Sequence, residues 1–495
     1  MSSRDLLRDP CWQGRDLGHP LPDATHAVSV ALPRWSDVIA YEEQDPACRG
    51  ALRAVYPRFG QHPLVAQVAK LSLKVSNVAR SNGASSWPYP NRAAAEAALT
   101  YCRRTRPSSE TQLINIHGLT CLIANAASTP AAKAYWQHTG LGASSRLAAI
   151  ALGQEQGASD SAAENARSNV IRRLERIYRC DRGSISLHPS GMSALHRALQ
   201  LISAIRPNRP VLQIGFPYVD VLKLPQVVFN GAELLLDDSA ASVSAALERL
   251  QPSAVVVELP SNPLLRCIDL STIARLAHRQ GIPVIADDTI GAGVNIDALP
   301  HADLVFSSLT KSFAGRGDVL AGSLLLSPHS KWRDQLAASA RALQQLAELA
   351  DVDVIALDQG SEDVVERVHQ LNRNTLFLAE RLRDHPAIAK VFHPGECENF
   401  KALQRPGAGH GCLLSFELKG GTQSAQKVYD ALAVCKGPSL GTAFTLVCPY
   451  VLLAHYEELV WAKRCNVPSH LLRVSVGLEE RQDLWKRFQL ALENA

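Results

Sequence analysis

No run of apolar residues approaches the roughly twenty needed to cross a bilayer, so a membrane-spanning chain is not expected. Charge of one sign is scarce as well. The 51 Lys and Arg against 47 Asp and Glu leave a net charge of +4, not gathered into runs, which argues against a nucleic-acid partner. The 11 cysteines include no Cys-x-x-Cys pair and no histidines at metal-binding spacing, so neither a disulfide framework nor a metal site is expected. The first residues, Met1-Ser-Ser-Arg-Asp-Leu-Leu-Arg-Asp-Pro10, carry acids and lack the apolar segment of a secretory signal, and the cytoplasm is the expected compartment. Internal repeats are missing too. What is present is an ordinary globular composition, 46% hydrophobic and 20% charged. With 495 residues it exceeds one compact core, so two or three domains are expected.

Residues 1–60 are rich in proline and aromatics with little periodicity, which predicts an extended arm wrapping another surface. Helical spacing follows over Pro63–Arg80 and Asn91–Arg104, separated by the Ser/Gly/Pro-rich Ser81–Pro90, and again over Ala163–Tyr178. Strands and helices then alternate. Strands are expected at Ile185–Leu187, Val211–Ile214, Val227–Phe229, Ala254–Leu259, Pro283–Ala286, Leu304–Phe306 and Leu320–Leu326. Helices are expected at Ser193–Ile205, Ala241–Leu250 and Leu270–Gln280. Short apolar strands separated by helices predict an α/β fold with a mostly parallel sheet covered on both faces. Lys331–Leu349 reads as one long helix continued around Asp363–Leu382, and the last hundred or so residues read as a smaller α/β domain. The expected division is 1–160, 161–330, 331–385 and 386–495.

The chemistry gathers at the predicted strand ends, where ligands of such sheets collect. Leu304–Phe306 breaks into Ser308, Thr310 and Lys311 before a glycine-rich turn at Gly315 and Gly317. A lysine among hydroxyls packs poorly but captures carbonyls well, and pyridoxal phosphate uses such an amine as a Schiff base. Asp287, ending another strand, can pair with a pyridine nitrogen and keep it protonated. Ser190-Gly191-Met192-Ser193 lies between a strand and a helix, where glycine allows close approach and the helix N-terminus offers free N–H groups to a phosphate. Asn262 can bond the cofactor's phenolic oxygen, and Tyr218 can stack on its ring and move protons. Arg473, on an alternating strand, can fork onto an α-carboxylate. Each residue alone has an ordinary packing or turn explanation; their joint order in one α/β chain does not.

With these residues in hand, the chain resembles the Cys/Met-metabolism pyridoxal-phosphate enzymes, cystathionine γ-synthase and its relatives, of the aspartate-aminotransferase-like fold (fold type I). The likeness rests on Ser308-Leu-Thr-Lys311, Ser190-Gly-Met-Ser193, Pro260-Ser-Asn-Pro263, Asp288-Thr289 and Leu472-Arg-Val-Ser-Val-Gly-Leu-Glu479. Segments such as His26-Ala-Val-Ser-Val-Ala-Leu-Pro33, Tyr135-Trp-Gln-His-Thr-Gly140 and Pro438-Ser-Leu-Gly-Thr-Ala-Phe-Thr-Leu446 are similar to its fungal branch. Tyr56-Pro-Arg58 resembles the family's Tyr-x-Arg pair, which reaches a neighbouring chain's phosphate. That implies a homodimer or a dimer of dimers, with residues 1–160 contributing to the interface. Asp288, Phe313 and Ala443 depart from the family pattern on what is expected to be the substrate side.

The resemblance implies γ-replacement on an O-acyl-L-homoserine. Lys311 would carry the cofactor and shuttle protons, Tyr218 would assist it, and Arg473 with Ser439 would anchor the carboxylate of a small amino-acid substrate. Cysteine is the expected nucleophile. A carbon nucleophile in secondary metabolism, a β- or γ-eliminating lyase, and a non-catalytic homologue with an assembly role remain as alternatives.

Overall fold

The computed structural model describes residues 4–57, 59–78, 83–107 and 110–495. Its centre is a seven-stranded sheet built from β1 (Ile185–His188), β2 (Val211–Ile214), β3 (Ala232–Leu235), β4 (Val255–Glu258), β5 (Val284–Asp287), β6 (Leu304–Ser307) and β7 (Gly322–Leu326). The spatial order is β1-β7-β6-β5-β4-β2-β3. Only β7 runs antiparallel to its neighbours, so the carboxyl ends of the other six strands meet at one edge. The inner strands are buried on both faces. Val255, Val257, Val284 and Ala286 join one core, while Val256, Ile285, Leu304 and Phe306 join the other. That two-sided burial explains why their sequences read as continuous apolar runs instead of alternating ones.

Four helices position the site: α1 (Thr129–Thr139), α2 (Asp160–Tyr178), α3 (Gly191–Ile205) and α4 (Val219–Val228). Helix α3 starts where the Ser190 hydroxyl accepts the N–H of Ser193, a cap that leaves other N–H groups of the first turn open. A second sheet of five strands, in the order Ile388–Phe392, Leu413–Leu418, Leu472–Ser475, Leu446–Pro449, Cys435–Lys436, forms the C-terminal part with helices Gly421–Ala431 and Arg481–Leu492. No helix among the described residues is long and apolar enough to cross a membrane.

Several expectations need correction. Residues 4–57 are not merely extended: Pro20–Leu21 pairs with Ser29–Val30, and helices form at Trp35–Glu42 and Pro46–Ala51. The surface this arm wraps is its own C-terminal part. The Trp35 N–H donates to Asp430, and the Tyr429 hydroxyl donates to the Leu32 carbonyl. The separator at 81–90 contains a strand, Ser85–Tyr89, of a three-stranded antiparallel sheet with Thr111–Ile116 and Leu119–Ala124. Val227 and Val228 end helix α4; the strand comes later, at Ala232, after a turn at Gly231. A short apolar run suits either state, and here the packing decided it. The long helix from Lys331 stops at Ala342, because the Arg197 guanidinium donates to the carbonyls of Ala340, Leu343 and Gln344 and so holds its terminus.

Candidate active site

One cavity of about 200 Å³ opens at the carboxyl edge of the central sheet and is lined by Tyr56, Ser190, Gly191, Met192, Tyr218, Glu258, Asn262, Asp287, Ser308, Thr310, Lys311 and Arg473. The strand-end residues singled out in the sequence therefore converge. Ser439 joins through the lysine, and Arg58 lies outside the described residues.

Lys311 is 92% buried, and its Nζ donates to the Tyr56 hydroxyl at 2.9 Å and more weakly to Ser439 Oγ at 3.4 Å. Burial alone would raise the Tyr56 phenol's pKa. The charge and hydrogen bond of Lys311, a bond from Tyr218 and the charge of Arg473 outweigh it and leave the phenol more acidic than an ordinary tyrosine. A proton at this amine thus has a phenol beside it and a second phenol beyond.

Asp287 ends β5 with Oδ1 accepting the Thr289 N–H at 2.9 Å, and burial pushes its pKa up to about 6. In parallel register beside it stands Glu258 at the end of β4. Burial first, and the neighbouring Asp287 second, push the Glu258 carboxyl well above the usual range. Two acids side by side share poor hydration and repel one another, so a cation placed over Asp287 would find a strongly favourable partner. Glu258 also holds the backbone of α4 in place. Its Oε2 accepts the N–H of Tyr218 at 2.7 Å, fixing the residue that opens that helix. Sequence reasoning assigned Glu258 no role, though it precedes the Pro-Ser-Asn-Pro turn.

At the other end, Gly191 begins α3 against the lysine loop. A Cβ on it would lie 2.7 Å from Ser308 Cβ and 2.9 Å from Ser308 Cα, so only glycine lets the helix start approach that closely. The Ser308 N–H donates to Thr289 Oγ1 at 2.9 Å, while the Thr310 hydroxyl accepts the Ala321 N–H at 3.0 Å and braces the start of β7. Met192 lines the cavity and packs partly into the core under α3.

Arg473 is 97% buried. Its Nη2 donates to the carbonyls of Pro438 and Ser439, both at 2.9 Å, and Nη1 reaches Asn262 Oδ1 at 3.4 Å. Nε has no hydrogen-bond partner. An unsatisfied guanidinium donor buried beside a cavity calls for an acceptor from a ligand. Asn262 lies in the cavity wall beside Arg473.

Three departures from the family pattern lie elsewhere than expected. Asp288 is fully buried, accepting the Tyr178 hydroxyl at 3.0 Å and the Gly293 N–H at 2.8 Å, so it ties β5 to α2. Phe313 packs in the main core, and Ala443 exchanges backbone bonds with Gly315 and Leu478. None of the three lines the cavity. Sequence reasoning also missed the N-terminal lining of the cavity, which includes Phe59, Gln61, Trp136, Gln137 and Gly140.

A buried lysine amine, an aspartate short of a cation, a helix start cradled by a glycine and an arginine with a free donor fit pyridoxal phosphate and an amino acid together. Comparison with known proteins agrees. The Cys/Met metabolism PLP-dependent enzyme family matches residues 162–493. A cystathionine γ-synthase of Neurospora crassa is 30% identical, covering 97% of this chain and 98% of its own length. An L-2-amino-4-chloropent-4-enoate dechlorinase/desaturase of Streptantibioticus cattleyicolor is also 30% identical, over 96% of this chain and 98% of its own. Among solved structures, a γ-lyase of Micromonospora echinospora superposes with a TM-score of 0.57 at 28% identity, covering 65% of this chain and 84% of its own. The chain belongs to the Cys/Met metabolism family of PLP-dependent enzymes, which replace or eliminate groups on amino-acid substrates.

Proposed function

We propose that the chain performs γ-replacement on an O-acyl-L-homoserine with cysteine as the incoming thiol, the reaction of a cystathionine γ-synthase. The observation that carries the reading is the cluster of Lys311, Tyr56 and Arg473 around one cavity: an amine bonded to a phenol, beside a buried guanidinium with a free donor. Residues that would hold the cofactor are Lys311, the α3 start with Gly191 and Met192, Ser308 beside it, and Asp287 as partner of the ring nitrogen, with Tyr218 to stack on the ring and Asn262 to bond its phenolic oxygen. When bound, the cofactor supplies an electron sink for negative charge at the substrate's α-carbon.

The chain's own residues do the rest. Arg473 takes the α-carboxylate on Nε, its Nη2 being held by the carbonyls of Pro438 and Ser439 and its Nη1 reaching Asn262, and so fixes which α-bond faces the lysine. The free amine of Lys311 would accept the α-proton, and Tyr56 would receive or return a proton at that amine through their hydrogen bond. Tyr218, bonded to Tyr56, extends the relay toward the substrate's leaving oxygen. Asp287 would be ionised by a cation set against it, and so would hold a bound pyridine nitrogen protonated.

The test is incubation with O-acetyl-L-homoserine, with and without cysteine. Cystathionine formed only with cysteine supports the reading, and consumption of the ester with cysteine left untouched contradicts it. Elimination is a second reading, supported by the full-length similarity to a dechlorinase/desaturase at the same identity as to the synthase. Its mark is 2-oxobutyrate and ammonia without any thiol. Loss of the visible absorbance of bound cofactor in Lys311→Ala, with folding retained, tests the lysine itself.

A further inference from the structure

Beside Asp287 the cavity wall holds a second acid. Glu258 ends β4 in parallel register with Asp287 at the end of β5, and the ladder continues past both tips, where the Leu259 N–H donates to the Asp287 carbonyl at 2.9 Å. The backbones that carry the two carboxyls are therefore fixed side by side. Both residues are buried, 5% and 4% exposed, and both line the cavity.

Two parts of the site hang on the Glu258 carboxyl. Its Oε2 accepts the Tyr218 N–H at 2.7 Å, at the residue that opens α4, and the same carboxyl accepts the N–H of Asn262. Asn262 lies in a turn that closes on itself: the Ser261 N–H donates to the Arg266 carbonyl and the Leu265 N–H to the Ser261 carbonyl, both at 2.8 Å. One side chain thus sets the backbone of the residue that would stack on the ring and of the residue that would bond its phenolic oxygen.

The charge on Glu258 follows from its surroundings. Asp287 faces it from β5 and Arg473 from the second sheet, while Lys311 and the Tyr218 phenol line the same cavity. Arg473 gives Nη2 to the carbonyls of Pro438 and Ser439 and Nη1 to Asn262, so these donors do not fork onto Glu258. Two adjacent buried carboxylates in such a place do not both ionise. Burial first and Asp287 second push Glu258 well above the usual range, whereas burial takes Asp287 only to about 6. The proton of the pair therefore rests on Glu258. A neutral acid still accepts N–H bonds, because its carbonyl oxygen keeps its lone pairs.

We propose that Glu258 is a positioning residue that works as a neutral acid: it sets the start of α4 at Tyr218 and the turn at Asn262, and by staying uncharged it leaves Asp287 as the anion of the pair. The proposal rests on the reading of the site only in taking Asp287 as partner of the ring nitrogen, and it holds for replacement and elimination alike.

Two measurements test this. The first uses the cofactor-free chain at neutral pH and needs no reaction. The infrared spectrum of wild type minus that of Glu258→Gln should show the carbonyl stretch of a protonated carboxyl, and the band should persist when both chains also carry Asp287→Asn, because burial is the larger cause. A carboxylate band in its place would overturn the proposal. The second is titration of the cofactor-free protein with pyridoxal phosphate. Glu258→Ala removes the acceptor of the Tyr218 N–H and should bind at least about tenfold more weakly. Glu258→Gln, uncharged but still holding an acceptor oxygen, should recover affinity to within about threefold of wild type. A role for carboxylate charge predicts Glu258→Gln as weak as Glu258→Ala, and that result would refute the neutral acid. Wild-type affinity in Glu258→Ala would remove the positioning role. If Glu258→Ala does not fold, Glu258→Gln against wild type and the infrared band still decide. If wild type itself takes up no cofactor, the proposed function falls while the infrared band still decides where the proton rests.

Discussion

Replacing Gly191 by alanine sets a small gain against a larger cost. Alanine is the better helix former, by about 1 kcal/mol in a helix interior and less at the first residue. Against that, its Cβ would lie 2.7 Å from Ser308 Cβ, 2.9 Å from Ser308 Cα and 3.2 Å from Ser308 N. The obstacle is backbone, not the far end of a flexible side chain. It is also tethered, because the Ser308 N–H is held by Thr289 Oγ1. Relief requires the α3 start and the lysine loop to separate, and forced insertion of this kind costs about 1–3 kcal/mol. The cost exceeds the gain by up to about 2 kcal/mol, which in a chain of this length lowers the melting temperature by only a few degrees. The larger effect is in the site, because the separation opens the gap that the phosphate is proposed to bridge. Pyridoxal phosphate should bind the variant about 10- to 100-fold more weakly, equivalent to about 1.4–2.8 kcal/mol. Titration of the cofactor-free protein by visible absorbance measures it, with phosphate-free pyridoxal as control. The control should lose much less affinity. If the variant binds pyridoxal phosphate within about threefold of wild type, or if pyridoxal loses as much, the placement of the phosphate at the α3 start is wrong.

Asp287→Asn tests the buried acid. Its folded pKa, about 6, lies above the usual 3.8, so in the cofactor-free protein its stabilising contribution is full below about pH 4 and is lost as pH rises towards 6. The loss is roughly 3 kcal/mol at most. The difference in melting temperature between wild type and Asp287→Asn, followed across that window, should show wild type losing ground as pH rises; a flat difference contradicts it. Arg473→Lys replaces a fork by a point charge and should raise the KM for the amino acid at least about tenfold while cofactor uptake is unchanged. An unaltered KM would remove Arg473 from carboxylate binding. His138→Ala removes the imidazole bonded to the 98%-buried Asp220 and should cost about 3 kcal/mol in denaturant unfolding, whereas His138→Asn, which keeps a donor, should recover part of it. Equal unfolding midpoints for the two variants would show that the hydrogen bond carries no weight.

The catalytic half of the molecule was legible because its strands are buried on both faces and end abruptly. Val255-Val-Val-Glu258 and Val284-Ile-Ala-Asp287 announce both the strand and the residue presented at its tip. Lys311 was legible for the same reason, and Arg473 as the one charged residue of an alternating strand. In the N-terminal part the helices Pro63–Val75 and Arg92–Thr105 were legible from their spacing, and the strands were not. In the hairpin of Thr111–Ile116 and Leu119–Ala124 the turn is His117-Gly118, with both residues at positive φ, a weaker signal than Asn-Gly or Asp-Gly. Ser85–Tyr89 pairs as a strand despite Pro88, which is tolerated because that strand is at the sheet's edge. Trp136 and Gln137 lie on helix α1, where no helix was expected, and no local pattern says that a helix end will meet a strand end far along the chain. The contact of Tyr56 with Lys311 is of that kind as well. Local periodicity reports which face is buried, not against what.

The single reversed strand of the central sheet bears on how freely Lys311 moves. Because β7 returns alongside β6, the loop carrying the lysine leaves and re-enters one hydrogen-bond ladder, and Ser307 faces Ser323 across it. The backbone that carries Lys311 is thus tied to neighbouring strands at both ends, and the bond from the Ala321 N–H to Thr310 closes the span between them. If Lys311 acts as proposed, a swing of its amine between cofactor and substrate would draw on the four side-chain rotors of the lysine more than on its backbone, which would keep the reach of the base short.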